Sequence, residues 1–210
     1  MISSVGVYND KYYYKGREYD KLKINLLIKS LGRKRKIIIL SQPIFIREYK
    51  IGNEKINLEK FLDKKITEDF SDRENLLFHY EFIKENETIY LYSIRYDTLR
   101  NLCKDCNFLK IEPIQFVIKN YILKKIKNNK SIIVIYKIND LFHLLNIENK
   151  IIKHSVITND ENDIDLFIKN YTNDKKIIVM GKGTKFSKSI MKNIKVVNIG
   201  EKCYEKIFKI

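Results

Sequence analysis

The sequence predicts an α/β protein organised as two lobes. Runs rich in β-branched residues alternate along the chain with segments of helical period, the pattern of sheets with helices packed on them. Hydrophobic residues make up 44% and charged residues 32%, enough apolar material for a core and unlike a disordered or low-complexity chain. At 210 residues the chain suits one large domain or two small lobes. A polar stretch around 127–130, followed by a change of pattern, divides it into 1–127 and 128–210.

The first lobe opens with strands at 3–8 and 11–15, turning at Asn9-Asp10, a pair suited to positive φ. Residues 20–31 read as a helix with Asp20 as N-cap and Gly32 as its stop. Four basic residues then lead into a strand at 37–42 that Pro43 ends, and alternation over 45–51 predicts another. Asn57 caps a helix over 58–69, and strands at 76–84 and 88–95 flank a polar turn. Asp97 or Thr98 opens a helix to about Cys106, a short strand spans 108–113, and a helix from about 114 to 127 places Phe116, Ile118, Tyr121, Ile122 and Ile126 on an apolar face.

The second lobe begins as a three-stranded meander at 131–138, 141–147 and 150–157, with turns at Asn139-Asp140 and Glu148-Asn149. A helix at about 161–171, a strand at 176–180, a glycine turn, a helix at about 185–193, a strand at 195–199 and a short last helix complete it.

Charge is the loudest feature of the composition, with 41 Lys and Arg against 26 Asp and Glu and a net of +15. It does not segregate: residues 1–126 carry 25 basic and 17 acidic side chains and residues 127–210 carry 16 and 9, or +8 and +7. The chain also lacks Ala and Trp while being rich in Ile, Lys and Asn, a skew that an AT-rich genome imposes on any of its proteins. The excess of Lys is therefore weak support for a nucleic-acid partner. Three Cys, an odd number, and an N-terminus without a basic-then-apolar leader point to a reducing, cytoplasmic setting, and no run approaches the ~20 apolar residues of a membrane-spanning helix.

Each candidate site has a bland counterpart. Cys103 and Cys106 form a single C-x-x-C, but Cys203, His79, His143 and His154 show no spacing that would complete a zinc site, and the pair falls at the end of a helix where the dipole does not activate a thiol. They read as ordinary helix cysteines. Gly181-Lys182-Gly183 lies between a strand and a helix, where backbone N–H groups can cradle an anion, yet the run matches neither the P-loop nor the dinucleotide fingerprint. Arg33, Lys34, Arg35 and Lys36, with the helix face carrying Lys119, Lys124, Lys125 and Lys127, are the best places for an anionic partner or a membrane surface. Tyr12-Tyr13-Tyr14 would suit base stacking, but in a strand these rings alternate between faces and core packing explains them better. No Ser, Cys, His or carboxylate pair forms a catalytic constellation.

Several segments, in order, resemble the actin-like proteins of type IV pilus assembly and type II secretion, the pilus assembly protein M and the cytoplasmic region of secretion protein L. The segments are IIILSQPIFIREYKI (37–51), NLEKFLDKKITEDF (57–70), the long stretch 77–116, and VMGKGTK (179–185). The resemblance implies a two-lobed actin-like, ribonuclease-H-like fold with mixed sheets and an α+β subdomain inserted at 45–95. ATP-binding members carry an Asp-x-Gly step in each of two phosphate hairpins. Here Gly6 has no Asp two residues before it, Asp10 has no following Gly, and Asp140 is followed by Leu141 and Phe142.

Only Gly181-Lys182-Gly183 is similar to the family's adenosine-side turn, so neither ATP binding nor hydrolysis is expected. What the resemblance then implies is an adaptor between inner-membrane pilus or secretion components and their assembly ATPase, with peripheral membrane attachment and a homodimer left open. A nucleotide-dependent enzyme of the same fold and a basic nucleic-acid binder are the alternatives.

Overall fold

The computed structural model describes residues 2–52, 56–126 and 131–171, and the backbone of 177–180 and 195–198. Contacts divide the chain into two compact units, Met1–Pro43 with Cys103–Ile210, and Ile44–Leu102. The second unit is thus an excursion of the chain between two strands of the first, and it contains the whole segment 45–95.

The first unit holds two five-stranded sheets. β1 (Ser3–Tyr8), β2 (Lys11–Tyr14) and β3 (Arg17–Asp20) form an antiparallel meander, beside which β4 (Lys34–Ile39) and β8 (Phe108–Pro113) lie parallel to β1, in the order β3-β2-β1-β4-β8. β9 (Ser131–Ile138), β10 (Leu141–Glu148) and β11 (Ile151–Thr158) form a second meander, and β12 (Ile177–Met180) and β13 (Lys195–Asn198) extend it in parallel, in the order β11-β10-β9-β12-β13. The two sheets therefore follow the same path: three strands up and down, then two added beside the first.

Each meander is joined by two-residue turns at matching places. Asn9 and Asn139 follow the first strand of each sheet with φ of 52° and 53°. Lys15-Gly16 (48° and 73°) and Asn149-Lys150 (48° and 69°) follow the second, and both central residues in each pair are left-handed, which suits the twist of a hairpin.

Helices cover these sheets. A short 3-10 turn, Lys21–Lys23, runs into α1 (Ile24–Ser30); Asp20 caps it, its Oδ1 accepting from the Lys23 N–H at 2.9 Å, and Ile24 and Leu27 face inward. α3 (Ile114–Lys125) buries Phe116, Ile118 and Ile122 as its period predicts, and Tyr121 and Ile126 are half-buried. α4 (Asn162–Tyr171) places Ile164, Phe167 and Ile168 against Ile133, Ile135, Phe142 and Leu144 of β9 and β10.

The second unit is a three-stranded antiparallel sheet, β5-β7-β6, from β5 (Phe45–Lys50), β6 (Leu76–Ile83) and β7 (Thr88–Arg95), with α2 (Leu58–Asp69) on one face. Asn57 caps α2 through Oδ1, which accepts from the Lys60 N–H at 3.1 Å. Leu62 of α2 packs with Ile89 and Leu91 of β7, within a rim that includes Tyr49, Phe61, Phe70 and Phe78. The Tyr49 hydroxyl donates to Asp69 at 2.5 Å, which ties β5 to the end of α2.

Several sequence expectations move. β3 is a strand that the sequence pattern does not predict, because its four residues, Arg17-Glu18-Tyr19-Asp20, are too few and too polar to show alternation. β4 starts at Lys34 rather than at 37, so three of the four basic residues lie inside a strand. The segment after β7 is a 3-10 helix, Asp97–Cys103, rather than an α-helix reaching Cys106. The helix expected at 185–193 and the short last helix lie outside the described residues.

Candidate functional site

The first turns of the two meanders meet. The Tyr8 hydroxyl, at the end of β1, donates to Oδ1 of Asp140 in the β9–β10 turn. Burial, then that bond, pushes the Tyr8 phenol above its ordinary range, and the same bond holds the Asp140 carboxyl below its own. Beside it the Tyr13 hydroxyl lies between the side chains of Glu18 and Asn139, and Lys11 pairs with Glu18 at 2.8 Å. Polar groups of the two sheets thus close directly on each other at the tips of corresponding hairpins.

The segment after β4 supports this junction from below. The Leu40 N–H donates to the Val7 carbonyl at 2.7 Å, and Ser41 Oγ accepts from the Asn9 N–H at 2.8 Å, which fixes the first turn. The Gln42 carbonyl accepts from Gln115 Nε2 at 2.9 Å, which ties the start of α3 to the same segment. The Leu40 carbonyl faces His143 of β10. That imidazole is wholly buried, and neither ring nitrogen makes a hydrogen bond of normal geometry among the described residues. Burial lowers its pKa to about 4, partly opposed by the Leu40 carbonyl, so the ring is neutral.

Neither first turn carries the Asp-x-Gly step that the resemblance associates with phosphate binding. Asp140 is engaged by Tyr8, Asp10 is followed by Lys11, and Leu141 and Phe142 follow Asp140. No group of three or more His, Cys, Asp or Glu placed to hold a metal occurs among the described residues.

The basic residues singled out from the sequence differ in exposure. Arg33 and Lys34 are exposed. Arg35, expected among them, is instead buried at 3% exposure, its Nε donating to the Gly32 carbonyl at 3.0 Å and its Nη1 to the Lys104 carbonyl at 2.8 Å. Lys36 is half-buried and pairs with Glu112 at 3.0 Å; Lys110 pairs with the other carboxylate oxygen, also at 3.0 Å. Burial works to raise the Glu112 carboxyl, but hydrogen bonds from Lys36 and Lys110 outweigh it and hold it low.

Lys119 is also a correction: at 3% exposure it lies in the core side of α3 with its ammonium 5.0 Å from the Phe116 ring centre. Lys124 and Lys125 are exposed at the end of α3. Lys127 and Gly181, Lys182 and Gly183 lie outside the described residues.

Cys103 and Cys106 are half-buried free thiols, the second donating to the Cys103 carbonyl at 3.0 Å, and burial raises the Cys103 thiol pKa rather than activating it. Tyr12 and Tyr14 are buried and Tyr13 is half-buried, as alternation in a strand requires. The junction residue the sequence reading missed is Tyr8, and the signal was there: both first turns read Asn-Asp, in equivalent places of two similar patterns.

No protein-family model matches the sequence, and no curated protein matches it. Solved structures do. A Bacteroides thetaiotaomicron protein described as having an actin-like ATPase fold and unknown function aligns over 100% of this chain and 95% of its own, with a TM-score of 0.58 at 12% identity. The fold is actin-like. The cytoplasmic domain of EpsL, an inner membrane component of the type II secretion system of Vibrio cholerae, aligns over 95% of this chain and 89% of its own, with a TM-score of 0.59 at 12% identity. A chain of the PilM–PilN type IV pilus biogenesis complex is less similar, with a TM-score of 0.46 at 9% identity over 80% of this chain and 61% of that one. The two five-stranded sheets of this chain share one strand path, and the junction of Tyr8 and Asp140 joins them at their first turns.

Proposed function

We propose that this protein is a non-catalytic scaffold of a secretion or pilus assembly complex, linking inner-membrane components to the assembly ATPase. The observation that carries the reading is the closed pair of hairpin turns: Tyr8 engages Asp140, and neither first turn carries an Asp-x-Gly step. The similarity in fold to the cytoplasmic domain of EpsL supports the choice of system. A protein-binding role is supported by β6, which ends the sheet of the second unit and exposes Tyr80 and Phe82 two residues apart on one side of the strand.

Two measurements test it together. Isothermal titration with Mg-ATP at millimolar concentration is expected to give no binding heat, and affinity purification of the tagged chain from its own cells is expected to enrich an assembly ATPase or inner-membrane pilus or secretion proteins. Saturable Mg-ATP binding with turnover would overturn the scaffold reading in favour of an actin-like ATPase. Enrichment of neither class of protein would remove the assembly system.

A further inference from the structure

The outward side of α1 carries an unusual surface. Leu22, in the 3-10 turn, is 93% exposed, and Leu26, one helical turn later, is 61% exposed. A single exposed leucine is ordinary. Leu22, in the 3-10 turn that leads into α1, and Leu26, in the first turn of α1, together leave an exposed apolar ridge, while Ile24 and Leu27 beside them are buried. The ridge is set among basic side chains: Lys21, Lys23 and Lys29 along the helix, and Arg33 and Lys34 in the loop and strand start that follow.

The only acidic residue between positions 20 and 34 is Asp20, which caps the helix and pairs with Lys23 at 3.4 Å. Among the described residues Lys21, Lys29, Arg33 and Lys34 pair with no carboxylate. The nearby Glu18 is taken by Lys11 at 2.8 Å. Apolar tips that stand proud of a helix, ringed by unpaired cations, match the layered chemistry of an anionic bilayer surface, with acyl chains beneath and phosphate above. A folded protein partner would need a carboxylate set opposite each of these cations, whereas a fluid anionic bilayer supplies phosphate wherever they lie.

We propose that α1 and residues 31–34 form a docking surface for anionic membrane, with Leu22 and Leu26 inserted at the headgroup–acyl boundary and Lys21, Lys29, Arg33 and Lys34 on lipid phosphates. The surface is independent of the hairpin junction, so it stands whether or not the scaffold reading holds.

Vesicle co-sedimentation of the full chain tests it, comparing phosphatidylcholine alone with phosphatidylcholine containing one-third phosphatidylglycerol. Binding is expected only to the second and should weaken with added salt. Leu22→Ser with Leu26→Ser should lower it by about tenfold. Lys21→Gln or Lys29→Gln should each lower it by about fivefold. Lys124→Gln with Lys125→Gln should leave it unchanged. The thermal midpoint of each variant is expected to match the wild type, since all these side chains are exposed. Equal binding to neutral vesicles, no binding to anionic ones, or full binding by the leucine variant would overturn the proposal; the last, with loss of a cross-linked partner in cells, would assign the ridge to a protein instead.

Discussion

His143 sits in β10 with its imidazole out of solvent and facing the Leu40 carbonyl. Its folded pKa of about 4 lies below the ordinary histidine value, so the unfolded chain binds a proton that the folded chain refuses. Stability from this residue is therefore complete above about pH 7 and declines as pH falls through the window from roughly 6.5 to 4. Between pH 7 and pH 5 the wild type is expected to lose about 2 kcal/mol more than a His143→Leu variant, read by urea denaturation at the two pH values. Equal losses would mean that the ring is hydrated or protonated in the fold. From the sequence this histidine was legible only as a strand residue; what makes it titrate low is the burial of both faces of β10, a property of layers.

At the scale of elements, the caps and periods behave as local chemistry dictates. Asn57 begins α2 because its side chain accepts one of the N–H groups that a helix start leaves without a partner. Asn57→Ala should destabilise the second unit by about 1 kcal/mol, and Asn57→Asp should restore most of it. Unchanged thermal melting in the alanine variant would show that the cap is not bearing on stability. Ile135 tests the other kind of element, a strand buried by a helix, since it is wholly enclosed between β10 and α4. Ile135→Ala is expected to cost roughly 2–5 kcal/mol in chemical denaturation, the transfer of its side chain plus the cavity left behind.

Elements failed to show in the sequence where their stability comes from neighbours. β3 is held by its register with β2, Lys11 opposite Asp20 and Tyr14 opposite Arg17, and not by its own apolar content. β4 begins with charged residues because β1 and β8 pair with it on both sides from Lys34 and Arg35 onward.

For the molecule as a whole the joint between the two meanders matters most. Tyr8 and Asp140 are 132 positions apart in sequence, and only the packing of two similar sheets brings their turns together. Tyr8→Phe keeps the ring and removes the donor. The Asp140 carboxyl is then expected to titrate closer to its ordinary value in a carbon-detected NMR pH series, with a lower thermal midpoint and no gain of Mg-ATP binding. An unshifted Asp140 titration would mean that the two turns do not touch in solution. The even spread of charge, +8 and +7 over the two stretches of sequence, agrees with the way individual cations are used in the fold. Arg35 closes carbonyls, Lys36 and Lys110 share a carboxylate, and Lys119 covers an aromatic ring, each a local role.

By itself the sequence determined most strands and helices, the Asn and Asp caps and the meanders, because period, turn chemistry and capping act within a few residues and are written in order along the chain; the actin-like class was implied by a resemblance to known families. It also carried the absence of Asp-x-Gly, which is a matter of residue identity. Tertiary structure decided which basic residues face solvent, that His143 is neutral, and that Tyr8 closes on Asp140. Those depend on burial and on pairing between distant segments, and a side chain's charge or donor acquires its role only from the groups that folding sets beside it.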